Sequence, residues 1–386
     1  MKRILFVSNA DWFFLSHRLP LALAAKANGY EVHVAATRSE AARTIEEHGI
    51  QFHSIHAHRG SLSPLKDLRL LLSLFRLYRE IKPDIVHHIT SKPVILGSLA
   101  ARAARVGGVV NAIPGLGLVF SASGSLAKFR RVLVVLSYRI ALPRRRTRVI
   151  FQNVENRDFF LKWNLVASES VVLVRGSGVD LAEYIATDEP DSTPIVVMAS
   201  RMLRQKGVPE FVEASRELIR RGIDAKFVLV GAVDADNPDH ISVSDLENWT
   251  SMRWVEWYGH RTDMPEIFRD AHIVCLPTSY GEGVPKVLIE AAACGRPIVT
   301  TDVPGCNDIV RHGQNGLLVP KKDSGALVDA LLQLLEDREA RREMGKNGRN
   351  LVEQEFDVRI VVAATMAVYE ELCQSQAVLV DEKERA

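Results

Sequence analysis

RILFVSNADWFFLSHRLPLALAAKANGYEVHVAA, residues 3–36, sets the rhythm of the whole chain. RILFVS (3–8) is a short apolar, β-rich run, and HRLPLALAAKANG (17–29) carries helical apolar spacing that stops at Gly29. YEVHVAA (30–36) is a second β run. A strand, a helix closed by glycine and another strand form the unit from which parallel sheets are wound, since parallel neighbours need a crossover long enough to hold a helix. The cycle recurs as PDIVHH, VILGSLAARAARVG and GVVNAI between residues 83 and 113, and again from IVVMAS (195–200) through VPEFVEASRELIRRG to KFVLVG (226–231). RWVEWYG, AHIVCLP, a helix after Pro285 and RPIVTT (296–301) continue it. The pattern predicts an α/β chain with two Rossmann-like, doubly wound parallel sheets.

A length of 386 residues exceeds what one ordinary core supports, which agrees with two domains. The polar, proline-containing stretch LAEYIATDEPDSTP (181–194) reads as the linker. The expected division is residues 1–180, residues 181–365, and a C-terminal helix and tail over 366–386 that returns to the first domain. With 47% hydrophobic and 25% charged residues, the composition excludes a disordered chain. Cys275, Cys294, Cys306 and Cys373 form no CxxC pair and have no histidine at zinc spacing, so a reducing cytosol is expected and no metal site is implied. The apolar run at the N-terminus turns polar at Ser8, as a first strand does and a signal peptide does not. No stretch reaches the length of a transmembrane helix.

Charge is divided unequally. Residues 1–180 hold 26 Lys and Arg against 12 Asp and Glu, net +14, and the remainder holds 23 against 35, net −12. Residues 85–154 contain eleven basic residues and no acidic one. Within that window KFRRVLVVLSYRIALPRRRTR reads as a basic amphipathic helix, with Lys128, Arg130, Arg131, Arg144, Arg145 and Arg146 as its cations. LKDLRLLLSLFRLYREIK (65–82) has a similar character. Such helices lie on anionic lipid. A core helix with a solvated basic rim is the plainer alternative, and nucleic acid is disfavoured because no binding module is recognisable.

The chemistry concentrates in YGEGVPKVLIEAAACGRPIV, residues 280–299. Pro285 suits the first position of a helix, which places Gly281, Gly283 and Val284 in the loop before a helix N-terminus, where backbone N–H groups and the dipole attract phosphate. Glu282 in that loop and Glu290 inside the helix are carboxylates fit to accept from vicinal hydroxyls. Two plainer readings remain open here: Glu290 paired with Lys286 four residues before it, and Glu282 as a solvated loop residue. In MASRMLRQKGVPEF, Arg201 follows a strand and Lys206 comes five residues later, two cations able to neutralise a diphosphate. Together these residues describe a nucleotide-sugar site, with Arg201, Lys206 and Glu282 as its catalytic set.

Further candidates lie at other strand ends. RGSGVD supplies Gly178 and Asp180 at the domain border, on the donor side. His17 and Arg18 after the first strand, His88 and Lys92 after IVHHITSKP, and Gly115 and Gly117 in NAIPGLGLVF are the acceptor-side candidates. Adjacent histidines face opposite sides of a strand, so at most one of His87 and His88 faces a ligand.

SRMLRQKG, YGEGVPKVLIEAAACGRPIV and GLLVP resemble the retaining glycosyltransferases of family 4, and GSGVD, FQN and the element order fit as well. The resemblance implies the two-Rossmann GT-B fold, a nucleotide-diphosphate sugar as donor with UDP the expected nucleotide, Arg201 and Lys206 on its diphosphate, Glu282 on the transferred sugar and Glu290 on the ribose. It implies neither cofactor nor metal. VHHITSKPVILGSLAAR and NAIPGLGLVF look closest to enzymes extending lipid-linked glycans for bacterial surface polysaccharides, which implies a lipid-linked acceptor and a peripheral place on the cytoplasmic face of the membrane. Two departures stand out: SNADWFF replaces the glycine-rich loop after the first strand, and His87–His88–Ile89 replaces the frequent H-x-H. A soluble acceptor, a glycoside hydrolase using Glu282 and Glu290, and a non-catalytic nucleotide-binding module are the alternatives.

Overall fold

Short runs of β-branched and aliphatic residues pair side by side into two parallel sheets in the computed structural model of the chain. It describes residues 1–57, 63–115, 124–142 and 146–384, the side chains of 125–127 and 375–384 excepted. Contacts divide the chain into a first unit, Met1–Ser177 with Arg359–Ala386, and a second, Gly178–Val358. The division falls at Ser177 and Gly178, ahead of the 181–194 stretch, which belongs to the second unit and buries Tyr184. Gly178 has φ +76°, and a Cβ there would come within 2.7 Å of the Val358 Cα.

In the first unit β1 (Lys2–Ala10), β2 (Tyr30–Thr37), β3 (Gln51–Ser54), β4 (Ile85–Ile89), β5 (Gly108–Ile113), β6 (Thr147–Phe151) and β7 (Val171–Leu173) lie in the order β3-β2-β1-β4-β5-β6-β7, all parallel. The second unit repeats the winding. Its strands are β8 (Ile195–Ala199), β9 (Lys226–Val230), β10 (Glu256–Trp257), β11 (Ile273–Leu276), β12 (Ile298–Thr301) and β13 (Gly316–Val319), and their order is β10-β9-β8-β11-β12-β13. β4, β5 and β11 are buried at every position, as strands covered on both faces are. In each sheet the order reverses beside the unit's first strand, between β1 and β4 and between β8 and β11. Ligands of doubly wound sheets sit beyond the strand ends at such reversals.

Two local departures from the sequence reading have clear causes. The first helix, Asp11–Ala27, starts directly at the end of β1 and not near His17. Asp11 is fully buried and its carboxylate accepts from the Trp12 N–H at 2.7 Å, from the Ser39 Oγ at 2.6 Å and from the Ser39 N–H, so within SNADWFF the strand passes directly into the helix at a buried aspartate. VILGSLAARAARVG opens as a π turn, Pro93–Gly97, before the α-helix Ser98–Ala104.

The last helix, Val358–Glu384, lays Val361, Met366, Val368, Tyr369, Leu372 and Cys373 against the first unit's core beside Ile4, Phe6 and Phe14. Tyr369 Oη lies 2.5 Å from His87 Nδ1. Burial holds the His87 pKa well below its ordinary value, with Arg18 and His88 adding repulsion, so the imidazole is neutral at pH 7. Tyr369→Phe leaves a buried nitrogen unmatched and is expected to cost about 1–3 kcal/mol. Tyr369→Ala adds a cavity and is expected to cost about 3–5 kcal/mol. Urea denaturation followed by circular dichroism checks the ranking, and equal stability of both variants and wild type would contradict this packing.

Candidate functional site

At the strand reversal of the second unit three loops meet. The loop after β8 carries Arg201 and, in a 3-10 turn over Arg204–Lys206, Lys206; the loop after β11 carries Glu282. Lys206 Nζ donates to both carboxylate oxygens of Glu282, at 2.5 and 2.6 Å. The pair is mostly enclosed, with side-chain exposures of 12% for Lys206 and 19% for Glu282. Burial alone would lower the Lys206 pKa, but the Glu282 charge and Tyr280 outweigh it and the net shift is upward. Thr278 Oγ1 donates to Glu282 Oε1 at 3.3 Å, and the Glu282 N–H donates to the Pro304 carbonyl at 3.1 Å. Arg201 Nη1 donates to Asp234 Oδ2 at 2.6 Å, Asp234 standing in the loop after β9.

Glycines allow these loops to touch. A Cβ at Gly207 (φ +86°) would fall 2.1 Å from the Pro277 carbonyl oxygen, and one at Gly305 (φ +91°) 2.1 Å from that of Gly283. Gly281 packs on Pro304, and Val284 is buried. Pro285 is the N-cap, one position before the place expected for it, of the helix Lys286–Ala293, which thus points its N-terminus at the loop of Gly281 and Gly283. The result is two cations, each held by a carboxylate, beside a helix N-terminus. That arrangement suits a diphosphate, with Glu282 placed to accept from hydroxyls next to it.

Glu290 lies inward on the same helix and is only 8% exposed. Its Oε1 accepts from Tyr184 Oη at 3.0 Å and from Lys286 Nζ at 2.9 Å, so the pairing with Lys286 is present and a tyrosine joins it. Burial and then Glu290 itself push the Tyr184 pKa up, which keeps the hydroxyl a donor. Gly178 sits at the unit border against Val358, and the exposed Asp180 accepts from the Ala182 N–H at 2.9 Å within its own turn. Neither reaches Glu282 through any bond among the described residues.

The acceptor-side candidates scatter. Arg18 is a core cation, 5% exposed, its pKa lowered to about 10 by burial. His17, one position earlier on the helix, stacks on Phe13 at 4.2 Å between ring centroids. His88 is fully buried, with Tyr78 Oη at 2.9 Å from Nε2 and Asn111 Oδ1 at 2.8 Å from Nδ1, and Gly97 leaves room for its ring. Both Arg18 and His88 therefore serve the core and not a strand-end surface. Lys92 pairs with Asp67 at 2.7 Å, Gly115 follows β5, and Gly117 lies outside the described residues. Of the basic cluster, Lys128 and Arg130 are exposed and Arg131 is half-buried. Arg146 donates to the Leu372 carbonyl at 2.8 Å, so it anchors the last helix instead of facing outward; Arg144 and Arg145 lie outside the described residues.

Sequence reasoning missed several residues that the fold brings in. Asp234 had a legible signal, an acid just beyond the strand KFVLVG, whereas Tyr184, Thr278 and Gly305 had none. Thr90, at the reversal between β1 and β4, adopts φ +74°, an outlier for a β-branched residue, and its Oγ1 is buried without a partner among the described residues. The π turn begins three residues later, at Pro93, and such turns are frequent at functional sites.

The glycine contacts give a test. Gly207→Ala meets both left-handed backbone and the Pro277 carbonyl, whereas Gly222→Ala meets left-handed backbone (φ +80°) and open space. Gly222→Ala is expected to cost about 1 kcal/mol, and Gly207→Ala clearly more. Thermal unfolding checks the order, and equal melting temperatures for the two variants would contradict the loop contact.

Comparison with known proteins matches residues 3–153 to the family described as glycosyl transferase 4-like and residues 184–351 to glycosyl transferases group 1. The N,N'-diacetylbacillosaminyl-diphospho-undecaprenol alpha-1,3-N-acetylgalactosaminyltransferase of Campylobacter jejuni is 28% identical over 97% of this chain and 100% of its own. The Escherichia coli UDP-Gal:alpha-D-GlcNAc-diphosphoundecaprenol alpha-1,3-galactosyltransferase is 27% identical over 77% of this chain and 78% of its own. Among solved structures, Anabaena HepE in complex with UDP-glucose superposes with a TM-score of 0.75 at 20% identity over 97% of this chain and 100% of its own. Sucrose-phosphate synthase of Thermosynechococcus elongatus gives 0.78 at 19% identity over the same shares. Two wound sheets in the order found here, and two matches that together span most of the sequence, make the chain a member of the glycosyltransferases, with the GT-B fold.

Proposed function

We propose that the enzyme transfers a hexosyl or N-acetylhexosaminyl group from a UDP-sugar to a glycan carried on a polyprenyl diphosphate, with retention at the anomeric carbon, in the synthesis of a bacterial surface glycan. The observation that carries the reading is the Arg201, Lys206 and Glu282 cluster at a strand reversal. The full-length likeness to the Campylobacter enzyme, whose own name gives an undecaprenyl diphosphate acceptor, supports the choice of acceptor.

Breaking the sugar–diphosphate bond leaves positive charge at the anomeric carbon and negative charge on the departing phosphate. Lys206 and Arg201 are fixed before any ligand arrives, because Glu282 and Asp234 hold them, so little reorganisation is needed as the phosphate charge grows. The N-terminus of Lys286–Ala293 adds its dipole. Glu282 accepts from hydroxyls of the transferred sugar, and Glu290 from the ribose diol. The acceptor hydroxyl attacks from the leaving-group face, its proton passing to a phosphate oxygen as the new glycosidic bond forms. The two cations supply the neutralising charge, and turnover is proposed to need neither metal nor cofactor. A hydrolase would use Glu282 as acid or nucleophile, but an ammonium occupies both of its oxygens.

The proposal extends to the membrane. Helix Ser125–Ala141 exposes Phe129, Val132, Leu133, Leu136 and Ile140, and Lys128, Arg130 and Arg139 are exposed alongside them. This pattern favours peripheral binding to the anionic cytoplasmic face of the membrane. Among the described residues no helix is long and apolar enough to cross a membrane.

Glu282→Gln and Arg201→Ala are each expected to lower kcat by roughly a hundred- to a thousandfold, the cost of about 3–4 kcal/mol for one strong transition-state contact, with the circular dichroism spectrum unchanged. Release of UDP in the presence of acceptor is the assay, and wild-type rates in either variant would remove the site. EDTA is expected to leave the rate intact, whereas strict dependence on added Mg2+ or Mn2+ would show a different means of neutralising the diphosphate. Phe129→Ser with Ile140→Ser is expected to abolish cosedimentation with phosphatidylglycerol vesicles, and wild-type binding should fade as salt rises. Equal sedimentation of variant and wild type at low salt would overturn the membrane face.

A further inference from the structure

Glu290 is held from outside its own helix by Tyr184, whose Oη donates to Oε1 at 3.0 Å. Lys286 Nζ, one turn earlier on the helix, stands 2.9 Å from the same oxygen. Among the described residues no hydrogen bond ends on Oε2. A carboxylate offers about two lone-pair sites on each oxygen. Oε1 is therefore filled, and Oε2 keeps the two sites that a vicinal pair of hydroxyls needs. Only 8% of the Glu290 surface is open, so a ligand reaches those sites from a restricted direction.

Tyr184 is fastened to that helix at a second place. The residue is 6% exposed and belongs to the second unit's core. Its N–H donates to the Asp180 carbonyl at 2.9 Å, and its carbonyl accepts from Arg349 Nη1 at 2.8 Å. The same Arg349 nitrogen donates at 2.8 Å to the carbonyl of Ala293, the last residue of Lys286–Ala293. Three residues after Tyr184, Thr187 Oγ1 accepts from Arg296 Nη2 at 2.7 Å, just beyond the end of the helix. The stretch 184–187 is thus tied to the end of the helix whose middle its tyrosine pins.

Lys286 cannot replace that pin. Its side chain is 25% exposed, ends on a flexible four-carbon stem and springs from the same helix as the carboxylate it meets. Burial, and then the Glu290 charge, push the Tyr184 pKa up, so the phenol remains a donor. Losing it has two opposed effects. A donor that draws charge from the carboxylate disappears, which strengthens Oε2 as an acceptor, but the carboxylate is also free to turn. Orientation decides, because a hydrogen bond weakens steeply once its angle falls below about 120°.

We propose that Tyr184 is a positioning residue for nucleotide selection: it occupies Oε1 and fixes the Glu290 carboxylate so that Oε2 accepts from both hydroxyls of a ribose diol. The inference rests on the reading above that Glu290 takes the ribose. It adds that this selection fails without the Tyr184 hydroxyl, although that hydroxyl touches no ligand.

The test is calorimetric titration of the full chain with UDP and with 2',3'-dideoxy-UDP, which lacks the diol, for wild type, Tyr184→Phe, Glu290→Gln and the double variant. Wild type is expected to prefer UDP by at least about tenfold, the worth of a hydrogen bond to a charged acceptor. Tyr184→Phe is expected to reduce the preference to about threefold or less, with dideoxy binding within about twofold of wild type. The double variant is expected to lose no more than Glu290→Gln alone, because Tyr184 acts through Glu290. An unchanged preference in Tyr184→Phe overturns the inference, and so does an equal loss of affinity for both nucleotides, the mark of a tyrosine that serves only the fold. If Glu290→Gln removes the preference while Tyr184→Phe keeps it, the ribose reading stands and the inference alone fails. If wild type binds UDP no better than the dideoxy nucleotide, or Glu290→Gln keeps the preference, the ribose reading falls and the inference with it.

Discussion

The ion pair between Lys206 and Glu282 is the contact on which the second unit's site depends. It joins the loop after β8 to the loop after β11 across the strand reversal, and both partners are largely withdrawn from solvent. Removing one partner of an enclosed pair leaves an uncompensated charge and costs about 3–5 kcal/mol, more than the pair contributes relative to two apolar side chains. The pair is therefore a poor stabiliser but a strict one. It fixes where an ammonium and a carboxylate stand, and the left-handed glycines Gly207 and Gly305 let backbone close around them at distances no Cβ would tolerate. Arg201 and Asp234 repeat the device a few residues away. In the proposed donor site a diphosphate meets cations already in position.

The two units divide the electrostatic work. The first half of the sequence carries the positive excess and the second half the negative one. In the second unit the cations that matter are few, each placed by a carboxylate. In the first unit many are exposed and stand beside exposed leucine, phenylalanine and isoleucine side chains on two helices, Pro64–Ile81 and Ser125–Ala141. Local precision suits a small charged donor, and a diffuse basic and apolar face suits an extended amphiphilic partner.

Much of this architecture was legible because buried parallel strands leave a plain trace, apolar runs of four to six residues separated by helical spacing. IVVMAS and KFVLVG need no context to be read. The gathering of Arg201, Lys206 and Glu282, proposed above as the donor site, was legible for a related reason: all three follow strand ends. What escaped depends on contacts distant in sequence. Nothing near Asp11 announces Ser39, so the start of the first helix at Asp11, not near His17, was not legible. Tyr184 reaches Glu290 across 106 positions, and Gly305 closes on Gly283 from the next strand end. Arg18 and His88 misled because polar residues after strands draw the eye to ligands, whereas these two are spent in the core, His88 between Tyr78 and Asn111. The left-handed Thr90 has no compositional signal at all, since threonine gives no hint of a positive φ.

The central claim is that Lys206 and its neighbours recognise the second phosphate of the donor nucleotide, and the affinities of UDP and UMP test it most directly. Calorimetry on wild type and on Lys206→Gln at fixed salt gives four dissociation constants, and their double ratio isolates the coupling between Lys206 and that phosphate. The account predicts that wild type prefers UDP to UMP by at least tenfold and that Lys206→Gln loses most of the preference while binding UMP nearly as well as before. An equal preference in both proteins would contradict it, and would leave the Lys206–Glu282 pair as a loop clasp with no part in binding the donor.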